Sequence, residues 1–260
     1  MSINSHIQLP NGILKYFRDE TDPEKKVWYL DINSRKIGRK PAGKLGTSKG
    51  YYSDEIEKHL NVGIENPITM LNAKIRAFAE GKTDAIEITS DEISDAKRYI
   101  KASIMRSGMA MDTLLNSSYT AAFCTAQENH DDLVYVGLSS DTIFDDYLKS
   151  MSFCILVNRT ETHFVVPRNC FYLIPSRGYI TVIAPISPTA AIALYSPDYP
   201  ENINGCYGTI DNPSSISVAN QYALQWEFEL NKEFVAADRK VELEELLVPL
   251  ENVYKWMKAT

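Results

Sequence analysis

Phe153-Cys154-Ile155-Leu156-Val157-Asn158 is followed at short intervals by His163-Phe164-Val165-Val166, Cys170-Phe171-Tyr172-Leu173-Ile174, Tyr179-Ile180-Thr181-Val182-Ile183-Ala184 and Ala190-Ala191-Ile192-Ala193-Leu194-Tyr195. The runs are rich in β-branched and aromatic residues. They are separated by turn formers: Asn158-Arg159-Thr160, Pro167-Arg168-Asn169, Pro175-Ser176-Arg177-Gly178 and Ser187-Pro188. Short apolar strands joined by tight turns predict a mostly antiparallel sheet in the third quarter of the chain.

On the N-terminal side of this block the period changes from two to that of a helix. Ser53 is placed to cap a helix starting at Asp54-Glu55, with Ile56, Leu60 and Ile64 on one face. Pro67 opens a second segment whose stripe is Ile68, Leu71, Ile75 and Phe78, and Gly81 stops it. Ser90-Asp91-Glu92 is a capping signal for a third helix, with Ile93, Ala96, Ile100 and Ile104, running to about Arg106. Residues 109–126 and 141–150 also read as helices, with an acidic break at 128–132 between them. Earlier still, Val27-Trp28-Tyr29-Leu30-Asp31-Ile32 is a strand pattern, Asn33-Ser34 a turn, and 35–50 a loop rich in Gly and Lys.

After the strands, 214–236 is a long helical pattern with Ile216, Ala219, Ala223, Trp226 and Leu230 as its stripe, and 241–256 is an acidic amphipathic helix. Strands and helices are segregated rather than alternating. The expected fold is therefore α+β: an N-terminal β-hairpin and helices, a mostly antiparallel sheet in the third quarter, and C-terminal helices. No repeat or low-complexity linker interrupts the 260 residues, so they read as a single α+β domain with 1–50 as an N-terminal arm, hairpin and basic loop.

Composition narrows the function classes. The chain is 44% hydrophobic and 23% charged, with 27 basic and 34 acidic residues and a formal charge of 27 − 34 = −7. That balance excludes a protein coated in positive potential for nucleic acid or anionic lipid. The longest apolar runs fall short of the ~20 residues of a membrane helix, and the first thirty residues have no secretory pattern, so a cytoplasmic location without a membrane partner is expected. Cys124, Cys154, Cys170 and Cys206 form no Cys-x-x-Cys pair and read as reduced core thiols. In that compartment the sequon Asn158-Arg159-Thr160 is a chance match.

The charge is unevenly spread. Arg35, Lys36, Arg39, Lys40, Lys44 and Lys49 lie in a stretch without an acid, a local +6, whereas 227–251 holds eight acids against three bases. The basic stretch reads either as a finger for nucleic acid or an acidic protein surface, or as a solvated loop. Gly38-x-x-x-x-Gly43-Lys44 imitates a phosphate loop, but Leu45 stands where Ser or Thr is required and Pro41 lies inside, so nucleotide hydrolysis by such a loop is rejected. Glu128, His130, Asp131 and Asp132 are oxygen and imidazole donors, yet neighbours in sequence do not close a coordination sphere; they read equally as a surface break, as do Asp141, Asp145 and Asp146. His6, His59, His130 and His163 are the only imidazoles and so the first candidates for acid–base work near neutral pH.

His6-x-x-x-Pro10-x-x-x-Leu14-x-x-Phe17 is similar to the His-x-Val-Pro-x-x-x-Leu-x-x-Phe opening of an uncharacterised prokaryotic family, domain of unknown function 4238. The resemblance continues through Tyr51-Tyr52-Ser53, Glu57-x-x-Leu60-x-x-x-Ile64-Glu65, Arg106, Phe164-Val165-Val166-Pro167-Arg168-Asn169, Ile186-Ser187-Pro188 and Asn220. Two departures stand out: one extra residue between His6 and Pro10, and Arg168 where the family shows an acid. The resemblance names no reaction and no cofactor. It picks out His6, Glu65, Arg106, Asn169 and Asn220, polar residues set in apolar segments. They read in two ways. One is a structural polar core with Glu65 and Arg106 paired. The other is a catalytic set, with His6 as acid/base, Glu65 its carboxylate and Arg106 an anion clamp, suited to nucleotide or phosphodiester chemistry. The competing class is a non-catalytic protein-binding or regulatory module, and an uncharacterised prokaryotic family of this kind also suggests a host–phage defence role.

Overall fold

The structure is a computed structural model that describes residues 4–6, 9–49, 54–106, 143–176, 178–199, 206–230 and 233–259. The expected helix at 109–126 and the acidic group at 128–132 lie outside the described residues. The fold is α+β. A five-stranded sheet forms its centre, in the order β10-β5-β9-β8-β7: β5 is Ser152–Asn158, β7 Tyr172–Ser176, β8 Tyr179–Ser187, β9 Ala190–Tyr195 and β10 Cys206–Ile210. All neighbours are antiparallel except β10 and β5.

Both faces of this sheet are buried, which is why its strands are continuous apolar runs rather than alternating ones. In β9, Ala190, Ile192 and Leu194 join a core with Phe153, Ile155 and Val157 of β5 and with the N-terminal helices α1 (Asn11–Leu14), α2 (Asp54–Leu60), α3 (Asn66–Ala79) and α4 (Ser90–Met105). Ala191 and Ala193 point the other way, into a second core with Ile216, Ala219 and Ala223 of α6 (Pro213–Leu230) and Leu243, Leu246 and Leu250 of α7 (Lys240–Ala259). α5 (Ile143–Ser150) is tied to α4 by the Lys101–Asp145 ion pair, 2.7 Å.

The N-terminal helices follow the sequence signals closely. α2 and α3 are joined by one π-helical turn, Asn61–Glu65, ahead of Pro67 at the start of α3. A proline there offers no N–H and its ring crowds the carbonyl four residues back, so the helix widens by one residue. α3 ends at Glu80, with Gly81 in the left-handed conformation, φ +69°. α4 is capped by Thr89 rather than Ser90, in a capping box with Glu92.

Three expectations are corrected. The stretch expected as a loop, 35–50, holds two strands among its described residues: β2 (Lys26–Asp31) pairs with β3 (Lys36–Pro41), and β4 (Thr47–Lys49) pairs with β1 (Asn4–His6). The helix over 214–236 stops at Leu230, and Phe234–Ala237 is a strand, β11. Its helical stripe continues past Leu230 only by coincidence of apolar spacing; Phe234-Val235-Ala236-Ala237 is buried throughout as a central strand. The strand expected at 163–166 is limited to β6, Val166–Pro167. β11 sits between β2 and β6, giving an antiparallel sheet in the order β3-β2-β11-β6. The N-terminal hairpin is thus the edge of a sheet whose inner strand comes from the C-terminal part of the chain. Among the described residues, no helix is long and apolar enough to cross a membrane.

Candidate functional site

A cleft of about 360 Å³ lies where these layers meet. Lys15 and Tyr16 come from the 3-10 turn Lys15–Phe17 after α1, and Arg18 follows it. Arg76 and Glu80 come from the end of α3, His163 from the segment before β6, Ser187, Pro188 and Thr189 from the β8–β9 turn, and Asp238 from the residue after β11. The site therefore depends on the β11 strand that brings Asp238 back beside the N-terminal half.

His163 Nδ1 lies 2.8 Å from Asp238 Oδ2. A carboxylate on Nδ1 fixes the tautomer with the proton on Nδ1, which leaves Nε2 as the basic nitrogen. Both side chains are partly exposed, 21% and 15%, so the pair is open to a ligand while mostly shielded. Its backbone is held from several elements. His163 N–H donates to Glu242 Oε1 of α7 (3.2 Å), the His163 carbonyl accepts from Asn220 Nδ2 of α6 (2.8 Å), and Phe164 N–H donates to the Pro188 carbonyl (3.0 Å). Arg239 bridges the Glu161 carbonyl and Glu242. Asn158, buried in β5, donates to the Thr162 carbonyl (2.7 Å), accepts from Thr160 N–H (2.9 Å), and its own N–H donates to the Thr189 carbonyl (2.9 Å). The sequon asparagine is thus committed to the turns that frame the cleft.

The lining holds three cations, Lys15, Arg18 and Arg76, and three carboxylates, Glu20, Glu80 and Asp238, which sum to zero with His163 neutral. Arg76 pairs with Glu80 at 2.7 Å, Glu80 also with Lys82, and Glu20 with Lys25 at 3.0 Å, while the Asp238 carboxylate is hydrogen-bonded to the His163 ring. Neither Lys15 nor Arg18 is ion-paired among the described residues. Lys15 and Arg76 both lie over the Tyr16 ring, at 4.8 and 4.2 Å, which gathers cations at the mouth. The Ser187 and Thr189 hydroxyls, 3.5 Å apart, add neutral donors. Lys15 and Arg18 can hold an anion locally, beside the His163–Asp238 pair.

The residues singled out from sequence are distributed over several places. Glu65 and Arg106 are brought together: Arg106 Nη1 lies 3.4 Å from Glu65 Oε1, with the Arg106 side chain fully buried and Glu65 at 18% exposure. Burial pushes the Glu65 carboxyl above its ordinary value, opposed by the Arg106 charge. Next to them the Cys170 sulfur is surrounded by Arg106, Tyr99 and Ser103; burial pushes its thiol up to about 11. Cys170 sits at φ +69°, rare for a side chain with a Cβ, at the end of the Pro167–Cys170 turn. Asn169 in that turn is completely buried, and its amide has no hydrogen-bond partner among the described residues.

Asn220 is engaged elsewhere, with both amide atoms on the backbone of His163 and Val165. His6 lies in β1 opposite Thr47; its side chain is outside the described residues. Arg168 is buried and paired with Glu233 next to β11.

Of the basic stretch, Lys36, Arg39 and Lys40 lie on the edge strand β3. Arg39 pairs with Asp22 (3.2 Å) and stacks on Trp28 (4.7 Å), and Lys40 lies over Tyr29 (5.1 Å). Gly38 is required there, because a Cβ would meet the Tyr29 ring at 2.8 Å. Arg35, Lys36 and Lys44 are exposed, and the Lys49 side chain lies outside the described residues. Arg35, Lys36, Arg39, Lys40 and Lys44 do not line the cleft. Sequence reasoning placed His163 only among four imidazoles. Asp238, Lys15, Arg18 and Arg76 carried no local motif, since sheet topology alone unites them.

Among the described residues no group of three or more His, Cys, Asp and Glu is arranged to hold a metal. No family model, curated protein or solved structure matches the chain.

Proposed function

We propose that the chain is an enzyme of phosphodiester chemistry acting on a nucleotide or a single-stranded nucleic acid, with His163 as general acid/base. The observation that carries this reading is the His163–Asp238 pair in a cleft that also holds Lys15 and Arg18, neither of them ion-paired among the described residues. The cleft volume falls in the ~300–1,000 Å³ range of small-molecule sites, which suits one nucleotide unit.

Chemically, His163 Nε2 takes the proton from the attacking oxygen, of water or a ribose hydroxyl. The new O–P bond forms as the bond to the leaving oxygen breaks, and the imidazolium returns the proton to that oxygen. Asp238 stabilises the imidazolium and holds the ring, a division of labour familiar from histidine–carboxylate catalysts on unrelated folds. Lys15 and Arg18 meet the charge that grows on the phosphoryl oxygens. Glu65 and Arg106 stand apart from this path, as a buried pair that braces α4 against the turn between α2 and α3.

The test is cleavage of labelled RNA, DNA and mononucleotides, with and without Mg²⁺, by wild type, His163→Gln and Glu65→Ala. Turnover by wild type and by folded Glu65→Ala, but not by His163→Gln, is expected. Equal inertness of all three would remove the reading.

A further inference from the structure

Asn220 stands in the interior of α6, 3% exposed, where asparagine is a poor helix former and a buried amide is costly unless bonded. Neither end of its amide is spent on its own helix. Oδ1 accepts from Val165 N–H at 2.9 Å and Nδ2 donates to the His163 carbonyl at 2.8 Å. A carbonyl and an N–H two residues apart on one strand are the groups that a neighbouring strand would pair. The segment 163–165 has the composition of a strand, but its ladder begins only at Val166. The Asn220 amide takes the place of the missing partner strand, presenting one donor and one acceptor in the spacing of a peptide group.

We infer that Asn220 is the positioning residue for His163. Its two bonds clamp the backbone on either side of Phe164, whose N–H is held by the Pro188 carbonyl at 3.0 Å. With Glu242 on the His163 N–H, the backbone of the 163–165 segment has little freedom, and the imidazole meets Asp238 in one orientation. The consequence for turnover rests on the function proposed above; the consequence for the ring does not.

The experiment is proton NMR of the full chain with ¹⁵N-labelled histidine, in wild type, Asn220→Ala and Asn220→Asp, with His163→Gln to assign the signal. Asn220→Asp keeps the size and the acceptor for Val165 but sets a carboxylate oxygen against the His163 carbonyl, so it breaks that bond by repulsion and serves as a second variant where the alanine variant fails to fold. A downfield Nδ1–H resonance from the His163–Asp238 bond is expected in wild type, and its loss or displacement in the Asn220 variants. On the substrate that wild type turns over, kcat falls about 100-fold with KM near wild type, the cost of a misplaced reacting group. An Nδ1–H resonance that is unchanged in a folded Asn220 variant, or missing from wild type, overturns the inference. A resonance that responds as expected in a protein inert towards every nucleotide and oligonucleotide supports the positioning role and sinks the proposed activity instead.

Discussion

His163 Nδ1 and Asp238 Oδ2 meet at 2.8 Å across 75 residues of chain. The contact exists because β11 enters the N-terminal sheet between β2 and β6 and delivers the residue after it to the segment preceding β6. Asp238→Asn tests what the carboxylate contributes. The asparagine amide can donate to the ring, which moves the imidazole proton to Nε2 and removes the base. Under the proposed function, a kcat lower by about 10³–10⁴-fold is expected with little loss of stability, measured as initial rates on a nucleotide or oligonucleotide substrate, beside a urea melt. A drop of less than tenfold would show that the carboxylate is not what orients the base.

Two basic regions compete for the role of anion site, and salt dependence separates them. Lys15 and Arg18 line the cleft beside His163. Lys36, Lys40 and Lys44 are as basic but lie on or beside the edge strand β3, outside the cleft. For a short single strand, each cation that meets a phosphate adds about 0.7 to the slope of log affinity against log salt. Arg18→Ala and Lys15→Ala should each lower that slope by about this amount and raise Kd. The triple substitution Lys36→Ala, Lys40→Ala, Lys44→Ala should leave the slope unchanged. Fluorescence anisotropy between low and moderate salt reads both, and the opposite ranking would move the anion site to the sheet edge.

Helices with complete local signals were legible in the sequence: α3 with Pro67 and Gly81 at its ends, and α4 with its acidic first turn, lie within a residue or two of their expected bounds. Phe234-Val235-Ala236-Ala237 was not, because four apolar residues after a helical stripe fit either period, and only pairing with β2 and β6 decides. The site followed the same rule. Polar residues inside apolar runs, such as Arg106 and Asn220, flagged themselves by composition, and the structure gives both buried hydrogen bonds. Asp238 and Arg18 are unremarkable in sequence and become interesting only through the topology that joins them.

Arg168 illustrates how a departure from a motif can be structural. Its guanidinium is buried and bonded to Glu233, the residue before β11, while its backbone N–H donates to the Phe234 carbonyl at 3.2 Å. Burial raises the Glu233 carboxyl above its ordinary value, opposed by the Arg168 charge. Removing the arginine leaves the half-exposed Glu233 to rehydrate; removing the glutamate strands a buried cation. Glu233→Ala should therefore cost more than Arg168→Met, about 2 against about 1 kcal/mol in urea unfolding, since an unpaired buried charge is the larger penalty. Equal costs would mean that the pair is hydrated.

Cys170 gives a pH signature that distinguishes a structural thiol from a reactive one. Burial raises its pKa from 9.0 to about 11, more than offsetting the nearby Arg106 charge. The fold thus favours the protonated thiol. A raised pKa in the folded state contributes stability that is full below pH 9, the unfolded value, and lost as the pH rises towards 11. Between pH 8 and 10 this loss is on the order of 1 kcal/mol. Cys170→Ala removes it, so the difference in urea stability between wild type and variant should shrink by about that amount on raising the pH from 8 to 10. In the native protein at pH 8, iodoacetamide should label Cys170 only on unfolding, because a buried thiol with a raised pKa supplies almost no thiolate. Fast native alkylation at Cys170, read by peptide mass mapping, would show instead that the sulfur beside Arg106 is solvent-reached and ionised, and that the Glu65–Arg106 cluster is an open reactive site.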